Sequence, residues 1–188
     1  NNTVTFNSQA DGTYNNCTIT VTDSASNASS TLNVNTFVVD TTAPTVSSVY
    51  PTDNQSSVSI SGNISVTFSE SMDNTTVTTN TDNTTCYGSF QLSSDNFSGC
   101  VQMSSSPSKS NSDMTFTVDP SDNLSYSSTY KIRLTTGVKD TAGNTLGSQY
   151  ETSSGFTIPW TQQLGTSSAD YASGVATDSS GNVYVTGS

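Results

Sequence analysis

The residues best placed to do chemistry are acidic ones in a phrase written three times: VKDTAGNTL from Val138, VTDSASNAS from Val21 and ATDSSGNVY from Ala176. Asp140, Asp23 and Asp178 hold the same position in each copy, and a carboxylate beside loop carbonyls is the beginning of a calcium site. Calcium takes about six to eight oxygens, however, and one carboxylate per phrase leaves most of them to distant helpers. The other reading is architectural. An Asp side chain accepts hydrogen bonds from backbone amides a few residues on, and Gly and Asn tolerate the positive φ of a tight reversal. On that reading the phrase is a turn, and three units each use it as a joint.

Other chemistry is sparse. FSESMD puts Glu70 and Asp73 close together, and paired carboxylates act on glycosidic bonds. Strand alternation places these two on different local faces, so turn capping is the plainer role. The chain has no His, which removes the usual general base and the usual triads. No enzyme is expected. Tyr87, Phe90 and Phe97 in CYGSFQLSSDNFSGC are candidates for stacking on a surface glycan, or for packing their segment onto a core.

Composition narrows the partners. Net charge is −11, and the only bases are Lys109, Lys131, Arg133 and Lys139, so no surface can neutralise several phosphates together. Nucleic acid is excluded. No apolar run approaches the roughly 20 residues of a membrane helix, and membrane insertion is not expected. Hydrophobic residues are 30% and charged residues 10%, so solubility rests on hydroxyl and amide groups, which suits an extracellular or cell-surface setting. The opening NNTVTFNSQ lacks the features of a secretion signal and reads as the start of a processed or excised chain.

The elements that must position these residues are strands. Cys17, Ile19 and Val21 alternate with polar residues, as do Ile64, Val66 and Phe68, then Met114, Phe116 and Val118, then Tyr130, Ile132 and Leu134. Such runs, separated by Gly, Pro, Asn, Asp and Ser clusters, predict an all-β sandwich.

VDTTAPTVSSVYPTDN, ISVTFSESMD and TYKIRLTTGVKDTAGNTLG followed by SGFTI resemble, in order and spacing, a bacterial Ig-like domain of the kind found in S-layer and other large surface proteins. The resemblance implies a complete Ig-like unit over 41–158 that serves as a spacer. Pro44 in DTTAP stiffens the joint before it. The long polar stretch of about 74–109 departs from the family pattern and reads as an insertion. Joining Cys86 to Cys100 would staple it, contributing about 3 kcal/mol in the chain-entropy model, in an oxidising compartment. Residues 1–40 resemble the last strands of a preceding Ig-like unit, with DGTYNNC similar to a Tyr corner. Cys17 there either bonds a partner in a missing half or serves as a small apolar core residue. The last segment, 159–188, resembles one bacterial β-propeller repeat, carried by Trp160, Leu164, Gly165, DYASGVATD and GNVYVTG. A single repeat cannot cover Val175, Val183, Tyr184 and Val185 by itself.

The expected architecture is therefore all-β: a tandem Ig-like β-sandwich with incomplete β units at both ends. Its expected function is a structural module that contacts neighbouring domains or identical copies through strands, as a spacer or as a subunit of a strand-exchanged filament, with a carbohydrate-binding adhesin as a further alternative. No cofactor other than calcium is implied. Nine Asn-any-Ser/Thr sequons occur, at Asn1, Asn16, Asn27, Asn54, Asn63, Asn74, Asn83, Asn96 and Asn123; several arise by chance in such a composition, and modification is not expected.

Overall fold

The computed structural model describes residues 8–160, 171–178 and 183–187, and among them all regular structure is β. No described helix is long and apolar enough to cross a membrane. Asn1, Leu164, Gly165 and residues 179–182 of the third phrase lie outside the described residues.

The first unit is thin. Strand β1 (Gly12–Tyr14) pairs antiparallel with β4 (Phe37–Val39), and β2 (Thr18–Ile19) pairs with β3 (Leu32–Asn33). The Tyr14 hydroxyl donates to the Ala10 carbonyl at 2.9 Å, and its ring stacks on Phe37 with centroids 5.2 Å apart. That hydroxyl reaches back to upstream backbone in the manner of a Tyr corner. The expected strand through Val21 is shortened, and its inner face is not covered. Val21 is 65% exposed and Cys17 only half-buried with a free thiol, because no opposing sheet closes over them among the described residues.

The second unit is closed. Its strands are β5 (Val46–Tyr50), β6 (Ile64–Phe68), β7 (Phe90–Ser93), β8 (Ser108–Ser110), β9 (Thr115–Val118), β10 (Thr129–Leu134), β11 (Tyr150–Glu151) and β12 (Phe156–Thr157). One antiparallel sheet runs β5-β6-β9-β8; in the other, β10 pairs with β7, β11 and β12. Alternation sends Ile64, Val66, Phe68, Phe116 and Val118 from the first sheet against Phe90, Leu92, Ile132, Leu134 and Phe156 from the second, all fully or almost fully buried. Phe68 meets Phe116 edge-on at 6.0 Å, and Tyr130 lies over Phe156 at 5.9 Å. The buried Tyr130 hydroxyl accepts from the Ser125 amide at 3.0 Å, so its polar end is satisfied.

The stretch expected as an insertion is woven into this sandwich. β7 within it pairs with β10 in register Phe90↔Leu134 to Ser93↔Lys131, and both of its faces are buried. Gln91 and Ser93, which alternation points away from the core, are covered by the loop that follows. Ser93 Oγ accepts from the Phe97 amide at 2.9 Å, and Arg133 Nε donates to Gln91 Oε1 at 2.7 Å. Cys86 and Cys100 are disulfide-bonded at the head of this loop, with Cα atoms 5.0 Å apart.

The last described strands, β13 (Ala172–Thr177) and β14 (Val183–Gly187), form an antiparallel hairpin whose residues are all exposed, including Val175, Val183, Tyr184 and Val185.

Candidate functional site

Two copies of the repeated phrase are described completely, and their side chains do the same thing. In the first, Asp23 Oδ1 accepts from the amides of Ala25 and Asn27 at 2.9 and 2.8 Å, and Oδ2 from Asn27 Nδ2 at 3.0 Å. In the second, Asp140 Oδ1 accepts from Ala142 and Asn144 at 2.8 and 2.9 Å, and Oδ2 from Asn144 Nδ2 at 2.9 Å. The backbone closes both reversals alike, with Asp23 N donating to Asn27 O and Asp140 N to Asn144 O, each at 3.0 Å. The position between the two small residues takes left-handed φ in both, 68° at Ser26 and 97° at Gly143. The hydrogen bonds from Asn27 and its amide hold the Asp23 carboxyl below its ordinary range.

The surroundings of the two turns differ. Asp23 is exposed, whereas Asp140 is 1% exposed. An isolated bridge pairs Met72 with Asp140, so FSESMD lies against the turn and Glu70 comes beside it. Asp40, Glu70 and Asp140 each offer a carboxylate oxygen, and the three oxygens lie within 4.8 Å of one another. Burial first, then the charges of Asp40 and Asp140, push the Glu70 carboxyl above its ordinary value. Glu70 and Asp73, neighbours in FSESMD, do not converge. Asp73 turns away to accept from the Thr75 hydroxyl at 2.7 Å and amide at 3.0 Å, which lowers its pKa. Asp40 gave no sequence signal, because only the fold brings the joint before β5 next to the end of β6.

Asp40 also belongs to a bonded joint between the two units. Asp11, from the first unit, accepts from Thr41 N at 2.9 Å, Thr41 Oγ1 at 2.7 Å and Thr42 Oγ1 at 2.7 Å, and these bonds lower its pKa. On the other side Asn144 Nδ2 donates to the Asp40 carbonyl at 3.0 Å, and Thr45 and Ser69 exchange bonds of 2.9 Å. Pro44 is buried. A second cap also escaped the sequence reading: Asp53 accepts from three successive amides, Ser153, Ser154 and Gly155, at 3.2, 2.9 and 2.7 Å. It ties the exit of β5 to the turn before β12.

The remaining candidates separate. Asp178 Oδ2 accepts from the Tyr184 hydroxyl at 3.1 Å. Phe90, expected as a ligand-stacking residue, is instead completely buried by alternation along β7 and presents no ring face to solvent. Phe97 is half-buried, and the Arg133 guanidinium covers one face of its ring at 3.8 Å from the centroid. Tyr87 is 52% exposed and lines a groove of about 640 Å³ beside the disulfide. A largely apolar hollow of about 660 Å³ is on the uncovered face of the first unit and is lined by Tyr14, Cys17, Ile19, Val34, Phe37 and Val39.

Comparison with known proteins follows the same division. The model of a family described as bacterial Ig-like domain matches residues 40–158, and that of a beta-propeller repeat matches residues 160–188. Among solved structures, the S-layer protein rSbsC(31-844) is 23% identical with a TM-score of 0.42, covering 76% of this chain and 19% of that one. The N-terminal part of the bacterial S-layer protein SbsC is 23% identical with a TM-score of 0.43, covering 78% of this chain and 33% of that one. Among curated proteins none matches.

Proposed function

The chain belongs to the bacterial Ig-like domain family, and from that premise we propose that it is a non-enzymatic structural module of a secreted or cell-surface protein, working as a stiff spacer. The bonded joint carries this reading. A linker meant to swivel leaves its backbone to water, whereas Asp40 to Thr45 is fastened to Asp11 on one side and to Ser69 and Asn144 on the other. The reversals at Asp23 and Asp140 support it as well, since each carboxylate is engaged by backbone amides and by the Asn side chain of its own turn. The Cys86–Cys100 bond and the hydroxyl-rich composition support an oxidising, extracellular location.

Small-angle X-ray scattering of the full chain tests the joint. Wild type is expected to scatter as one elongated shape, and Asp11→Ala to broaden the distribution of sizes. An unchanged profile in the variant removes the joint as the source of stiffness. The module's partner is a neighbouring β unit, or a second copy of the chain, packed by strands over the uncovered face of the first unit. Concentration-dependent sedimentation would favour the copy, and hence a filament subunit.

A second reading concerns calcium at Asp40, Glu70 and Asp140, supported by the convergence of three carboxylates where the units join. Such an ion would offset the burial and the charges of Asp40 and Asp140 that together raise the Glu70 pKa. A rise in melting temperature on adding calcium, abolished in Glu70→Gln, is the expected outcome. Identical melting in calcium and in chelator rules it out.

A further inference from the structure

Beyond this mechanical role, we propose that the groove beside the disulfide binds a neutral oligosaccharide, with Tyr87 as the stacking platform. The groove runs between the edge of β8 and the segment leading into β7, and Thr75, Thr78, Thr81, Ser106 and Lys109 line it together with Tyr87. Its volume of about 640 Å³ falls in the range of about 300–1,000 Å³ that small-ligand sites occupy.

Tyr87 is held from every side and yet left open to solvent. Its hydroxyl donates to Asp82 Oδ1 at 2.6 Å and accepts from the Thr81 amide at 2.9 Å. The residue before it is in the disulfide. The residue after it, Gly88, packs so closely that a Cβ there would lie 2.4 Å from Thr79 Cα. These constraints also pack Cys100 and Gly88 into the fold, whereas the 52% exposed ring itself adds little to the core. They fix an aromatic face in advance, and a fixed face loses no rotamer freedom when a ligand lies on it. The apolar C–H face of a sugar ring matches that surface. The Thr81 and Ser106 hydroxyls, which no protein group takes up among the described residues, supply hydrogen bonds for its edge.

Charge selects the class of sugar. Lys109, the one base in the groove, is already paired with Asp113 at 2.7 Å, while Asp82 stands at the Tyr87 end, so an anionic glycan gains nothing there. An extended peptide is the other occupant to consider, since β8 is an edge. That edge is three residues long and carries Lys109 at its centre, a combination that discourages strand addition.

The full chain is tested on an array of neutral gluco-, manno-, galacto- and chito-oligosaccharides printed beside sialylated and sulfated ones, and the best neutral sugar is then titrated in solution. Saturable binding to a neutral sugar is expected, weakened at least about tenfold by Tyr87→Ala. Tyr126→Ala, at another exposed tyrosine, should leave it unchanged. If Tyr87→Ala melts early, Ser106→Arg carries the test, because it fills the groove from an exposed position and should weaken binding as strongly. The proposal is overturned by silence on every neutral sugar, by binding confined to charged glycans, by an affinity that both groove variants preserve, or by a peptide occupying the groove instead.

Discussion

The turn at Asp23 and the turn at Asp140 make the same three side-chain bonds within about 0.1 Å of one another, one exposed and the other enclosed. The phrase therefore encodes its own local geometry and does not need a core to form. What the core adds is consequence. In the first unit the turn ends a two-stranded ribbon with an uncovered face, whereas in the second it is pressed against Met72 and the joint and brings three carboxylates together. Identical chemistry is a corner in one place and a structural node in the other.

Substitutions that differ only in surroundings break or sharpen this comparison. The largest contrast lies in the cores: Phe90→Ala is expected to lower the unfolding free energy by about 4 kcal/mol in urea titration, whereas Phe37→Ala, at a position 40% exposed, should cost far less. Next come the turns. Asp140→Ala removes an enclosed acceptor of three bonds and should cost about 2 kcal/mol, while Asp23→Ala should leave the main unfolding transition unmoved. Equal effects from the two Asp variants would mean that burial is not what separates them.

The smallest effect concerns pH. The folded-state pKa of Glu70 lies above its unfolded value, so ionising it costs the folded state stability. That cost is absent below the unfolded pKa and fully present above the folded one. Glu70→Gln should therefore raise the melting temperature slightly at pH 7 without calcium, and the gain should vanish as the pH falls toward the ordinary Glu range. A variant whose gain is constant with pH would show that Glu70 is not held in the repulsion described.

Much of the fold was legible from alternation. Ile64, Val66 and Phe68, and Tyr130, Ile132 and Leu134, face the core as the period-two pattern requires, because each strand has one solvated neighbourhood against which to alternate. β7 escaped that logic. Gln91 and Ser93 are buried by a loop that returns over them, so FQLS reads as a polar-apolar surface run while lying inside. The Asp40–Glu70–Asp140 convergence escaped for a different reason: the Met72–Asp140 bridge is a long-range pairing, and no local pattern announces its register. The turns were readable because the bonds that shape them, from each Asp to residues two and four places on, are local.

Asn144 gives both hydrogens of its amide away, one to the Asp140 carboxylate and one to the Asp40 carbonyl. Slow hydrolytic loss of that amide nitrogen, a one-dalton change, would convert the donor into a further acid facing two acceptors it can no longer serve. The turn and the linker would then loosen together, so one side chain couples the reversal at Asp140 to the joint at Asp40.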